Sequence, residues 1–121
     1  MLEEETLGFS ASPRKLGGVT VIDVRGRLTL YEGHALCELV QDLMSDGQTK
    51  LLLNLESVTQ LDSAGLGTLV RSSVSVMRRG GNLKVTHQNP RVTAVLTVTN
   101  LQSVLPAYPD ERSALASFVV S

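Results

Sequence analysis

The sequence predicts a single α/β domain in which a mixed β-sheet is covered by helices. With 121 residues the chain is long enough for one domain of ordinary size and too short for two. Hydrophobic residues make up 42% and charged residues 19%, so the chain can bury an apolar core. Short apolar runs alternate with segments of helical period, which predicts the element order ββαβαβαβα.

Two antiparallel strands are predicted first. Residues 6–12 and 19–25 alternate apolar and polar positions, and Pro13 to Gly18 separates them, with Gly17 and Gly18 suited to the turn. We expect residues 1–4 to be a flexible terminus and residues 5–119 to form the domain.

A helix is predicted from about residue 30 to 46. Thr29 and Glu32 have capping-box spacing, and Gly47 stands where a helix C-cap is expected. The apolar stripe comprises Leu36, Leu39, Val40, Leu43 and Met44. Residues 50–55 then form an apolar run typical of a strand buried on both faces, followed by a short polar turn before Asp62.

The second half of the sequence predicts three more helices and two strands. The helix over 63–79 is expected to have an apolar side of Leu66, Leu69, Val70, Val74 and Met77. A strand over 82–87 precedes a helix that begins at Asn89-Pro90 and turns Val92, Val95 and Leu96 inward. Residues 103–105 predict a short strand ended by Pro106, and Asp110 is expected to cap a last helix carrying Leu115 and Phe118.

Composition excludes several classes of function. The net charge is −1, from 11 basic and 12 acidic residues, which disfavours both a nucleic-acid surface and an anionic membrane as partners. The single cysteine, Cys37, cannot form an internal disulfide, so a reducing cytoplasm is expected. The acidic first residues do not resemble a secretory signal, and no apolar run is long enough to span a bilayer.

The segment 51–67 carries the strongest candidate site, because it places Asp62 and Ser63 where a strand leads into a helix. A hydrolase nucleophile would need a glycine two residues before the serine, where this chain has Leu61. It would also need a base, and nothing in the sequence brings His34 or His87 to Ser63. We therefore do not expect an enzyme.

Cofactor and metal sites are also disfavoured. Gly65 and Gly67 begin a dinucleotide-like pattern, but Val70 replaces its third glycine and no Walker lysine follows. The two histidines, Asp62 and Glu56 lack the spacing of metal ligands. We expect no cofactor and no metal, and we interpret both glycines as positions of close backbone approach.

Two interpretations of Asp62-Ser63 remain open from the residues alone. The plainer one is a helix cap, with Ser63 as the capping side chain. The other is a docking site, because the small residues Ala64, Gly65 and Gly67 would leave Ser63 accessible to a large partner.

The sequence resembles the bacterial anti-sigma factor antagonists of the STAS-domain family. The resemblance is carried by Leu-Leu-Leu-Asn-Leu at 51–55 followed by Leu-Asp-Ser-Ala-Gly-Leu-Gly at 61–67, and it is supported by Val-Arg-Gly-Arg-Leu at 24–28 and Gly-Gly-Asn-Leu at 80–83. It spans residues 5 to 119 and implies a mixed sheet with about four helices mainly on one side. One departure is Thr29, where many members have an aspartate after Gly-x-Leu.

The resemblance implies a function for Ser63. The unphosphorylated protein would bind an anti-sigma factor that is also a serine kinase and so release the sigma factor. Phosphorylation of Ser63 would end this binding, and a serine phosphatase would restore it. Asp62, Ser63, Ala64, Gly65 and Gly67 would form the partner-binding surface. The alternative is a STAS module without a serine switch, which binds a nucleotide or lipid or scaffolds a larger signalling complex.

Overall fold

A computed structural model describes residues 8–86, 89–99 and 104–119. Within these ranges the strands are β1 (Phe9–Leu16), β2 (Val19–Leu28), β3 (Lys50–Leu61), β4 (Asn82–Thr86) and β5 (Ala107–Tyr108). The helices are α1 (Leu30–Ser45), α2 (Ser63–Arg78), α3 (Pro90–Thr99) and α4 (Glu111–Val119). The predicted order ββαβαβαβα is confirmed. Residues 1–4, predicted to be a flexible terminus, lie outside the described residues.

The strands form one mixed sheet in the order β1-β2-β3-β4-β5, with β1 antiparallel to β2 and the other neighbours parallel. Helices α1, α2 and α3 pack on one face, against a core that includes Ile22, Leu53, Leu36, Leu69 and Val92. Helix α4 covers the other face, where Ala114 and Phe118 pack on Val19, Val21 and Leu52. The predicted placement of the helices mainly on one side is therefore confirmed.

An ion-pair network joins the edge of the sheet to α4. The Arg14 guanidinium lies 2.6 Å from the carboxylate of Asp23 and 2.6 Å from that of Glu111. The hydrogen bonds that it donates to Asp23 and Glu111 raise the pKa of Arg14. Arg14 and Glu111 are 97 positions apart in sequence, so the network links β1 to the last helix.

The prediction of a long turn from Pro13 to Gly18 was wrong. Strand β1 continues to Leu16, and Pro13 lies opposite Ile22 in the ladder. Proline lacks an N–H group but is tolerated in an edge strand, where a ladder is needed on one side only. The turn itself consists of Gly17 and Gly18.

The polar turn predicted before Asp62 was also wrong, because β3 continues to Leu61. Its second half pairs with the end of β2, with Ser57 opposite Arg25 and Leu61 opposite Leu28. Two shifts in register interrupt this pairing, and such bulges conceal the simple alternation by which a strand is recognised in sequence.

The predicted apolar side of α2 was half wrong. Leu66 and Leu69 are buried, but Met77 is 48% exposed and Val70 and Val74 are only half-buried. The rest of the buried face comprises Gly65, Thr68, Ser72, Ser73 and Val76. Its hydroxyl groups can be buried because they form hydrogen bonds or close polar contacts: Ser72 Oγ lies 2.8 Å from Cys37 Sγ, and Ser73 donates to the carbonyl of Val104 at 2.6 Å.

The last strand lies after Pro106 and not before it as predicted. Ala107 and Tyr108 pair with Val85 and Thr86, and the carbonyl of Pro106 accepts a hydrogen bond from Val85 N at 3.0 Å. Leu105 is buried in a turn, and residue 103 lies outside the described residues. The predicted starts of the last two helices are confirmed: Asn89 Oδ1 accepts from Arg91 N at 2.9 Å, and Asp110 Oδ1 accepts from Ser113 N at 2.7 Å.

Candidate functional site

Helices α1 and α2 begin side by side at the carboxyl edge of the sheet. Strands β2 and β3 are parallel neighbours whose last residues, Leu28 and Leu61, lie opposite each other. Each strand leads within one residue into its helix. The carboxyl edge of parallel strands is where α/β proteins commonly place their binding sites.

Asp62 is the residue that caps α2. Its backbone is extended (φ −106°, ψ −179°), its Oδ1 accepts from Gly65 N at 2.8 Å, and its carbonyl accepts from Leu66 N at 2.9 Å. Ser63 is the first helical residue. The expectation that Ser63 caps the helix was therefore wrong. The residue before it, Asp62, has both the extended backbone and the accepting side chain that a cap requires.

Since Asp62 caps the helix, the Ser63 side chain is not needed as its cap. Ser63 is exposed, and its hydroxyl forms no hydrogen bond with another described residue. The first turn of α2 contains no acidic residue. Asp62 is also exposed and Ala64 is half-buried, so a partner that reaches the end of this helix meets an accessible hydroxyl.

The two glycines of the site differ. A Cβ atom on Gly65 would lie 1.9 Å from the carbonyl oxygen of Leu28, so only glycine allows α2 to begin this close to β2. A Cβ atom on Gly67 would meet nothing within 4 Å, and the residue is exposed. The expectation of close backbone approach is thus confirmed for Gly65 and wrong for Gly67.

Two exposed apolar side chains at the start of α1 were missed in the sequence. Leu30 is 45% exposed and Tyr31 is 82% exposed. They precede the buried stripe of α1 and belong to the turn held by the Thr29–Glu32 capping box, which is confirmed. The signal was present, since apolar residues at the first two helical positions fall outside the stripe that begins at Leu36.

The machinery of a nucleophilic enzyme is not assembled around Ser63 by the described residues. His34 is exposed on α1 and is not hydrogen-bonded to Ser63. His87, the other candidate base, lies outside the described residues. In the described part of the chain no three His, Cys, Asp or Glu side chains are grouped as metal ligands, and none of its helices has the length and apolarity to cross a membrane.

Comparison with known proteins identifies the family. The sequence model of the STAS domain family matches residues 10–114 of this chain. A protein of Thermotoga neapolitana named putative anti-sigma factor antagonist TM1081 homolog is 32% identical over 98 residues, which cover 80% of this chain and 87% of that protein. The anti-sigma F factor antagonist of Paenibacillus polymyxa is 25% identical over 104 residues, covering 85% of this chain and 89% of its own length.

Two solved structures of one protein share the fold. The Bacillus protein SpoIIAA in its phosphorylated form is 16% identical and has a TM-score of 0.67, with 90% of this chain and 99% of that chain covered. Its unphosphorylated form has a TM-score of 0.72 at the same identity, covering 93% and 98%. The match over residues 10–114, the Thermotoga relative and the shared fold agree, and the chain belongs to the STAS domain family.

Proposed function

We propose that the protein is an anti-sigma factor antagonist whose binding is switched off by phosphorylation of Ser63. The unphosphorylated form binds an anti-sigma factor with serine kinase activity and releases the sigma factor, and a serine phosphatase reverses the modification. The observation that carries the proposal is the exposed Ser63 at the first position of α2, whose hydroxyl forms no hydrogen bond within the described part of the chain. On this view the protein acts in the cytoplasm as a protein-binding regulator and not as an enzyme, and it binds no nucleic acid directly.

The start of α2 is suited to hold a phosphate without refolding. Phosphorylation would add about −1.5 to −2 charges. The free N–H groups and the dipole at a helix N-terminus favour anions, and no acidic residue in the first turn of α2 opposes the new charge. Asp62 opposes it from the cap position. SpoIIAA, which has the same fold, exists in both forms, and this supports a modification that leaves the architecture intact.

A protein interface at this place would respond strongly to the modification. The exposed Asp62, Ser63 and Gly67, together with the half-buried Ala64, offer a surface of small side chains, and Leu30 and Tyr31 add apolar area at the neighbouring helix start. A partner shaped for a hydroxyl would have to desolvate a charged group instead. A loss of about 2.7 kcal/mol weakens binding about a hundredfold.

The test compares variants that add or remove the relevant group. Incubation with the partner kinase and ATP should add one phosphate to the wild type and none to Ser63→Ala, as measured by mass spectrometry. Ser63→Glu should weaken binding of the kinase about a hundredfold in calorimetry. Its thermal unfolding should change little, because an acidic residue is favourable in the first turn of a helix.

Ser113→Glu is the matched control. Ser113 is also exposed in the first turn of a helix, but α4 lies on the other face of the sheet. It should bind the kinase as the wild type does. If Ser63→Glu bound the kinase as tightly as Ser113→Glu, the switch would be refuted and the non-switching STAS module would be favoured.

A further inference from the structure

The outward faces of α1 and α2 carry opposite charges. Glu38 and Asp42 are exposed on α1, and Arg71 and Arg78 are exposed on α2. None of these four side chains forms an ion pair with another described residue. An acidic strip and a basic strip, both unpaired, therefore lie next to each other on the helical layer.

Contacts between α1 and α2 join residues that are a constant number of positions apart in the sequence. Cys37 contacts Ser72, 35 positions later, at 2.8 Å. Gln41 donates to Ser75, 34 positions later, at 2.9 Å. Both helices leave the same edge of the sheet, so they run in the same direction, and a residue of α1 lies level with the residue of α2 that follows it by 34 or 35 positions.

This offset makes the helical layer complementary to itself. A two-fold axis parallel to the helices would place α1 of each copy over α2 of the other at unchanged levels. Glu38 would then lie within about two residues, or about 3 Å along the axis, of the partner copy's Arg71. Asp42 would lie equally close to the level of the partner copy's Arg78. Both contacts occur twice in such a dimer.

Apolar groups match at the same offset. Tyr31 is 82% exposed and, by the same offset, lies level with residues 65–66 of α2, just before the exposed Gly67. Val70 and Val74 line a shallow groove of about 500 Å³ on the outward face of α2, between the two arginines. An α1 helix of a second copy could cover this groove.

We propose that two copies of the chain associate through α1 and α2, with the acidic strip of each on the basic strip of the other. This inference does not depend on the phosphorylation of Ser63. Because Gly67 lies in both surfaces, the dimer and the partner complex would exclude each other.

Sedimentation equilibrium of the purified protein tests the proposal. At about 100 µM protein and low salt, the mass should approach twice the 13.0 kDa of one chain. Raising the salt to about 0.5 M should increase the dissociation constant at least about tenfold, because the contacts include exposed charges.

Charge reversal makes the test specific. E38R together with D42R, or R71E together with R78E, should each abolish the dimer, since like charges would face each other. An equimolar mixture of the two double variants should restore it as a heterodimer, because every contact is then again between opposite charges. Arg112→Glu, on the exposed surface of α4, should leave the mass unchanged, and circular dichroism should show that all variants are folded.

Two outcomes would overturn the proposal. One is a wild type that stays monomeric at low salt. The other is a mixture of the double variants that does not reassociate. If the wild type is monomeric while R71E with R78E loses the kinase, the basic strip serves the anti-sigma factor, and the proposal for Ser63 stands without the dimer.

Discussion

The starts of α1 and α2 lie next to each other at the same edge of the sheet, yet they are built differently. At α1 the Glu32 carboxylate turns back and accepts from the Thr29 backbone N–H at 3.1 Å, and it also accepts from the Thr29 hydroxyl. At α2 the cap is Asp62, which lies before the helix, and the first turn has no acidic side chain. The free N–H groups of α1 thus lie near the carboxylate of Glu32, which belongs to the helix itself. The first turn of α2, which begins at Ser63, has no such carboxylate.

This difference determines where an added anion can be accommodated. A phosphate at the start of α1 would be repelled by Glu32, which Arg27 also approaches at 3.6 Å. A phosphate on Ser63 would meet the free end of a helix dipole, and Asp62 would oppose it from the cap position. Both helices begin directly after a strand at the same edge of the sheet, but their first turns differ in how well they tolerate an added negative charge.

The largest effect is expected from the contact that fixes the start of α2. Gly65→Ala places a Cβ atom 1.9 Å from the Leu28 carbonyl oxygen, which is backbone and cannot rotate away. We expect a loss of about 3 kcal/mol in the free energy of unfolding, measured with urea. Gly67→Ala is the control; it meets nothing within 4 Å and should gain about 0.5–1 kcal/mol from helix propensity. Equal stability of the two variants would contradict the close approach of α2 to β2.

A smaller effect is expected from the caps. Asp62→Ala and Thr29→Ala should each cost about 1 kcal/mol, whereas Asp62→Asn should cost little because asparagine caps equally well. Ser63→Ala should be nearly neutral, since its hydroxyl makes no hydrogen bond with the described residues. If Ser63→Ala cost about 1 kcal/mol and Asp62→Ala nothing, Ser63 and not Asp62 would be the cap.

The smallest effect is expected on the pH dependence of the free energy of unfolding. The hydrogen bond donated by Thr29 is the main cause that lowers the pKa of Glu32 from its ordinary value. A carboxylate with a lowered pKa in the folded state stabilises the protein above its unfolded pKa of about 4.3, and this contribution is lost as the pH falls through the folded value. Glu32→Gln should therefore be less stable than the wild type at pH 7, and the gap should close on acidification.

The element order could be predicted from sequence because the apolar periods of the core elements are clear. The stripe of α1 and the apolar run at 50–55 are examples. The C-cap expected at Gly47 is Asp46, one residue earlier, and Gly47 follows it with a φ of +89°. The buried face of α2 could not be predicted in full, because Thr68, Ser72 and Ser73 are polar by composition. Ser72 and Ser73 are buried against partners from other parts of the chain, and the Thr68 hydroxyl donates to the Gly65 carbonyl one turn earlier in the same helix.

The location of the candidate site was predicted correctly, but the residue that caps the helix was not. Strand, Asp62-Ser63 and helix were correctly ordered, since the apolar run and the helical period bracket them. Which of two adjacent residues caps the helix depends on which of them has the extended backbone, and sequence does not fix this. The role of Gly65 requires the position of Leu28, which is 37 positions earlier and becomes a neighbour only through the pairing of β2 with β3.

The link from Arg14 to Glu111 bears on how the chain folds during synthesis. The hairpin leaves the ribosome early, but the sheet face formed by Val19, Val21 and Leu52 has no cover until α4 has been made. Until then a nascent chain presents an apolar surface together with an arginine that lacks one of its two carboxylate partners. A chain interrupted before residue 111 would therefore be prone to aggregate, because the last helix closes the fold.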